Sequence, residues 1–504
     1  MNKDYTFKIE SGRIGYDTKY GAEIYRRSLS ILLECAISEL YPSLSIRVGQ
    51  TLMKGYYYAI SEGGYPRNFI EKVTDRMNLI VSLNEKFRKV RMGKTEALKL
   101  CKKVKRDDKF NAILYLPDEK INVVFLRNYF DFLLAESVSA AGCLKTFRII
   151  RYNNGFILQF PLRGNIKALP ETKDRQRKLY EVYMESRQWN EILGIRNAGD
   201  LNRAVLDGSI RDLINVQEAL HEKKIANIAD TIKNFFPRKR IICVAGPSAS
   251  GKTTFIKRLG VQLRADGLDP VELSLDNYFV SREKTPKTAD GDYDYECLKA
   301  IDLEFFRKQM SEILKGKEVK LPEYDFKIGD RKDSGIKLKL NDRSVILVEG
   351  IHSLNPRLLP KKYHKKLYNI FVSALTQLCI DNDNRIFTSD YRLMRRFVRD
   401  RKFRGYTASE SIARFPKVRD GEDKYIFPFQ PASNVFFNSS LIYEPAVIKP
   451  MVEKLLKKIR KSDAAYFEAQ RLLYYLNFFL PISPKRVPQN SILREFIGKS
   501  SFHY

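Results

Sequence analysis

Apolar and polar positions change their pattern several times along the chain. Over residues 1–165, stretches with helical spacing alternate with strand-like ones and end at GFILQFPLRG, an α+β pattern. Residues 166–237 are charged, with apolar positions at helical spacing in LYEVYMESRQWNEILGI and LINVQEALHEKKIANIADTI, and predict a helical connector. The basic hinge Pro237–Arg240 leads into IICVAG, an uninterrupted apolar run of the kind found in a parallel strand buried on both faces. Strands and helices then alternate to residue 445, which predicts an α/β domain with a parallel sheet over 238–445. A helical extension, 446–504, is broken by the proline-rich PISPKRVPQN. No internal repeat or low-complexity tract interrupts this order.

Composition narrows the class. At 504 residues the chain exceeds a single core, and 44% hydrophobic residues argue against a largely disordered one. Six cysteines lie far apart without a CxxC pair, beside four histidines, which offers neither a disulfide framework nor a zinc site. MNKDYTFKIESGR lacks the apolar centre of a signal peptide, and LLYYLNFFLPI is too short to span a bilayer. The expectation is a cytoplasmic protein with no membrane partner. The 90 basic against 60 acidic residues give +30. Two readings stay open: a surface for polyanions such as RNA, or a lysine-rich bias in a protein that attracts anionic ATP. The basic residues are scattered through every segment, so charge alone names no partner.

Gly246-Pro-Ser-Ala-Ser-Gly251-Lys252-Thr253 is a full GxxxxGK[ST] match between the strand IICVA and the helix-like TTFIKRLGVQLRADG. In this context the backbone wraps so that successive N–H groups meet phosphate oxygens, helped by the helix N-terminus. Gly246, Ser248, Ala249, Ser250, Gly251, Lys252, Thr253 and Thr254 are the candidate ATP contacts. Lys252 would reach the β- and γ-phosphates, and the Thr253 hydroxyl would bind Mg2+. VILVEG ends a buried strand in Glu349, placed to hold that metal directly or through water. Asp276, after the apolar VELSL, could accept a proton from an attacking hydroxyl. Arg392, Arg395, Arg396 and Arg399 fall at helical spacing on nearly one face, suited to closing over ATP and to stabilising the transferring phosphoryl group; a solvated basic helix is the plainer reading.

Together GPSASGKTT, SLDNYF, the YDY of Tyr293–Tyr295, LPEYDF, VILVEGIH and DYRLMRRFVRD resemble the uridine–cytidine kinase family, over roughly residues 238–445. The resemblance implies a P-loop kinase that phosphorylates a ribose 5′-hydroxyl. It further implies Asp276 as general base and Asp294, with the neighbouring Tyr293, at the ribose. Tyr324 would then lie at the base, with Arg396 and Arg399 serving the lid and phosphates. Three positions depart from the family: Gly329 where a histidine is usual, Tyr406 for an arginine just beyond Arg404-Gly405, and Arg414 for a glutamine. These changes leave phosphoryl transfer intact and loosen the expectation of a pyrimidine base.

YRRSLSILLECAISELYPSLSIRVGQTLMKGYYYAI is similar to the second additional (editing) domain of threonyl-tRNA synthetases. The positions of that family's editing residues correspond here to Arg27, Ile31, Leu133 and Ser137, so its chemistry is expected to be absent. The whole chain, with WNEILGIRNAGDLNRAV and SILREFIGKSSF, resembles a fusion of synthetase-like and uridine-kinase-like domains. The reading is an ATP- and Mg2+-dependent nucleoside kinase. A kinase of another sugar or alcohol, as in phosphoribulokinase, and an ATP-regulated RNA-binding protein are the alternatives.

Overall fold

The apolar run IICVA becomes strand β1 (Ile241–Ala245), with every residue buried. Around it, in this computed structural model, lie β2 (Asp269–Ser274), β3 (Ser344–Glu349), β4 (Leu367–Ser373) and β5 (Val435–Asn438). The five strands run in the order β2-β3-β1-β4-β5, all parallel. The chain leaves β1 toward the β2 edge and leaves β3 toward β4 on the opposite side of β1. The carboxyl ends of β1 and β3 therefore border the crevice where open α/β sheets take ligands. The structure describes residues 6–9, 12–60, 64–174, 176–288, 291–403 and 405–503.

Helix α1 (Lys252–Ala265) follows β1 and lays Phe255, Leu259 and Leu263 on the sheet. The long helix Ile210–Phe235 adds Ile225, Ile228 and Ile232 to the same core, so part of the charged segment before β1 is integral to this α/β unit. The unit comprises Arg211–Leu375, Thr388–Tyr466 and Ile482–Tyr504. It also contains an antiparallel hairpin, Val319–Asp325 with Asp330–Leu338, that carries LPEYDF. Helices Glu444–Leu456, Tyr466–Asn477 and Arg494–Ile497 make the C-terminal segment helical.

The other unit comprises Met1–Ile210, Thr376–Phe387 and Phe467–Pro481. It is mixed α and β. A 22-residue helix, Lys19–Leu40, starts at Thr18, whose hydroxyl accepts the Gly21 N–H at 2.9 Å. Antiparallel sheets of four and three strands accompany it. Arg27 and Ile31 lie on this helix, and the N–H of Val138, next to Ser137, donates at 2.9 Å to Oγ of Ser28, next to Arg27. Inside this unit Lys109, fully buried, pairs with Asp131, with Asp381 at 3.4 Å and with Asp383 at 2.8 Å. Arg106 joins through Asp383 at 2.7 Å. Asp131, Asp381 and Asp383 converge closely enough to suggest a metal site, but the Lys109 ammonium already sits among them. Among the described residues no helix is long and apolar enough to cross a membrane.

Candidate active site

The loop between β1 and α1 is shaped by two close constraints. A Cβ on Gly246 would stand 2.1 Å from the Val372 carbonyl oxygen, so only glycine lets the chain leave β1 beside β4. Ala249 (φ 58°) and Gly251 (φ 84°) are both left-handed. That conformation costs a non-glycine residue about 1 kcal/mol and alternates with right-handed residues to turn N–H groups inward as an anion cradle. The Lys252 ammonium folds back on the Pro247 carbonyl at 3.3 Å. Ser250 Oγ is buried and has no hydrogen-bond partner among the described residues.

Neighbouring strand ends bring the acids. Glu349 ends β3 in register with Val244 of β1 and Ser274 of β2. Asp276 lies in the turn Leu275–Tyr278 that leaves β2. The Glu349 carboxyl is pushed up to about 7 by burial, against the pull of the Lys252 ammonium, and Asp276 adds to the rise. Glu296 is likewise held at about 7 by burial and by Glu422, with Arg396 and Lys252 opposing. Lys252, Asp276, Glu296 and Glu349 thus share one electrostatic environment. The Thr253 hydroxyl and the Glu349 carboxylate are hard oxygen groups that could hold Mg2+, and the buried Ser250 hydroxyl in the same loop has no partner among the described residues, which suits a ligand-binding cradle.

Helix α2 (Thr388–Phe403) carries the arginines, and α3 (Ala408–Tyr425) follows it through a capping box of Thr407 and Glu410. Arg392 donates to the Ser248 carbonyl at 2.9 Å and to Glu422 at 3.0 Å; Glu422 in turn accepts the Ser248 N–H at 3.0 Å. Arg395 pairs with Glu444 at 2.6 Å and donates to the Ala249 carbonyl at 3.3 Å. Both guanidinium groups are fully buried and act as struts beneath the loop. Arg396 reaches Ser248 Oγ at 3.3 Å while paired with Asp400 at 2.8 Å. Arg399 pairs with Asp400 at 2.9 Å and is not brought to the loop. At the start of α1, the Thr254 N–H and hydroxyl both donate to Glu495, at 3.1 and 2.9 Å.

The residues around YDY and LPEYDF form an aromatic cluster. Ring contacts run from Tyr293 to Tyr295 (6.0 Å), Phe279 (6.1 Å), Tyr324 (5.6 Å) and Phe326 (5.1 Å). Tyr324 is buried, and its hydroxyl has no partner among the described residues. Asp294 Oδ1 accepts the Glu296 N–H at 3.1 Å, fixing the turn before Glu296. His352 is buried, and burial pushes its imidazole down to about 4, so it is neutral at physiological pH.

The three departures noted in the sequence have structural counterparts. Gly329 is left-handed (φ 82°), and its missing side chain leaves room for Arg282, whose Nη2 donates to the Phe326 carbonyl at 2.8 Å. Arg414 lies 4.2 Å from the centre of the Tyr406 ring, so those two replacements stack on each other. Arg404 lies outside the described residues.

Residues 241–440 match the phosphoribulokinase / uridine kinase family. They form a P-loop domain of that family. Over 211 residues this domain is 28% identical to a uridine kinase of Deinococcus deserti, covering 42% of this chain and 92% of the relative. A uridine kinase of Staphylococcus aureus is 29% identical over 196 residues, 39% of this chain and 85% of the relative. A solved structure of a possible uridine kinase from Bacillus stearothermophilus is similar at a TM-score of 0.30 and 19% identity, over 43% of this chain and 98% of that one. The family match accounts for the P-loop domain and leaves the first unit unassigned. Sequence reasoning missed Glu296, Glu422, Glu444 and Glu495. Of these, Glu296 stands immediately after YDY and Glu495 lies within SILREFIGKSSF, while Glu422 and Glu444 fall outside the quoted motifs.

Proposed function

We propose that the chain is an ATP-dependent kinase that transfers the γ-phosphoryl group to the 5′-hydroxyl of a uridine- or cytidine-like ribonucleoside. The observation that carries this reading is the shared environment of Lys252, Asp276 and Glu349 beside the phosphate loop, at the carboxyl ends of β1, β2 and β3. Residues Gly246 and Ser248–Thr254 hold the phosphates, and Lys252 neutralises charge on the transferring group. Asp276 takes the proton of the attacking hydroxyl as its oxygen bonds to phosphorus, and the bond to the ADP oxygen breaks. Thr253 and Glu349 hold Mg2+, which when bound offsets phosphate charge. Asp294 and Tyr293 hold the ribose and Tyr324 faces the base, while Arg396, already at Ser248, serves the phosphates from α2; Arg399 joins it only by releasing Asp400.

A second reading keeps the transfer and changes the acceptor to another sugar or alcohol. It is favoured by Arg282 beside Gly329 and by the Tyr406–Arg414 stack, which fill positions where the family carries other side chains. The deciding experiment is a panel of ribonucleosides and phosphorylatable sugars with Mg-ATP. A monophosphate from any ribonucleoside supports the first reading, and product only from a sugar supports the second. No product from either group sinks the acceptor assignment. Residues 1–165 are read as a synthetase-like domain without editing residues. Failure of the full chain to retain tRNA at low salt would remove an RNA partner from that reading.

A further inference from the structure

The first turn of α1 already holds an anion supplied by the chain itself. Thr254 donates both its N–H and its hydroxyl to one oxygen of Glu495, at 3.1 and 2.9 Å. These are the donors that a helix N-terminus after a phosphate loop offers to a nucleotide phosphate. A hydrogen committed to the carboxylate is not available to a phosphate oxygen, and two anions on one site repel. Glu495 also adds to the negative charge that raises Glu349.

The support for Glu495 is fixed. It sits on the short helix Arg494–Ile497, whose neighbours Ile492, Leu493 and Phe496 are fully buried. Ile492 belongs to the sheet core, and Arg395 lies 4.8 Å over the Phe496 ring. Arg494 ties the turn by donating to the carbonyls of Pro484 and Gly498 at 3.1 and 3.2 Å. Glu495 itself is only half-buried. The other acid on the loop, Glu422, differs: it is fully buried and paired with Arg392. The backbone under Glu495 is therefore anchored while its side chain is free to rotate away.

We infer that Glu495 is a built-in competitor for nucleotide: its carboxylate occupies a phosphate position in the nucleotide-free chain and swings out when a nucleotide enters. This rests on the phosphate loop binding nucleotide, as proposed above. Affinity for ATP is then set partly by a residue that contributes nothing to phosphoryl transfer.

The test is calorimetric titration of Mg-ATP into the full chain, comparing wild type with Glu495→Gln and Glu495→Asp. The first removes the charge, and the second withdraws it by one methylene. Lys252→Ala serves as the loop control, and thermal unfolding without nucleotide reports folding. Both Glu495 variants are expected to stay folded and to bind about tenfold tighter or more. Unchanged or weaker binding in both, with wild-type binding lost in Lys252→Ala, overturns the competitor and leaves the nucleotide site standing. Unfolding of both variants without nucleotide also overturns it, because Glu495 would then be a structural cap. Absence of Mg-ATP binding by every form overturns the nucleotide site and this inference with it.

Discussion

Replacing Glu296 by glutamine tests the electrostatics of the site without touching the phosphate loop. Burial and Glu422 hold the Glu296 carboxyl at about 7 in the folded chain. In the unfolded chain it returns to the ordinary value of about 4.3. Below about pH 4 the carboxyl is protonated in both states, and it affects stability equally in both. Between about 4 and 7 the unfolded state loses its proton first, so the native state binds more protons and stability falls as pH rises. Above about 7 the full penalty applies: at 1.36 kcal/mol per unit, a shift of between two and three units gives about 3 kcal/mol. Glutamine cannot ionise and removes the penalty. Urea denaturation of the α/β unit in the full chain, followed at pH 5 and pH 8.5, reads the difference. Glu296→Gln is expected to be more stable than wild type by about 3 kcal/mol at pH 8.5 and by about 1 kcal/mol or less at pH 5. The same difference at both pH values, or a variant less stable at pH 8.5, would show that the carboxyl is not held protonated.

Asp276→Asn and Lys252→Ala should each lower turnover by at least about a hundredfold, measured on the acceptor found by the panel. Normal turnover in Asp276→Asn would remove its role as base. Glu422→Leu should destabilise the α/β unit by about 3–5 kcal/mol because it leaves Arg392 buried and unpaired, whereas Glu422→Leu with Arg392→Met should recover most of that loss. A double variant as unstable as the single one would mean that the pair is not the strut described. Gly246→Ala, which sets a Cβ against the Val372 carbonyl, should abolish Mg-ATP binding while Ser248→Ala retains it; equal binding by both would refute the close approach.

The donor half of the site was legible because it is local. A strand, a glycine loop and a helix follow one another within residues 241–265, and each declares itself through apolar runs, glycines and helical spacing. Asp276 and Glu349 were legible for a related reason, since each closes an apolar strand and a parallel sheet aligns such ends. The supporting acids were not. Glu422 meets Ser248 across 174 residues and Glu495 meets Thr254 across 241, and no periodicity links positions so far apart. Arg392 and Arg395 illustrate the limit: four arginines at helical spacing suit a face turned to ATP, yet these two are fully buried because Glu422 and Glu444 wait for them. The membership of Thr376–Phe387 in the first unit was also hidden, since nothing in its composition separates it from the strand before or the helix after.

That segment has a consequence for how the protein can be taken apart. Thr376–Phe387 carries Asp381 and Asp383 to Lys109, and it is joined directly to the strand before it and the arginine helix after it. Phe467–Pro481 returns to the first unit a second time. A ribosome that has delivered residues 1–210 has therefore not delivered a finished unit: the buried Lys109 still lacks two of its three carboxylates. No single cut releases either half with its parts complete. Deletion of residues 1–210 would strip Asp381 and Asp383 of their buried partner and leave the link to the arginine helix without its anchorage.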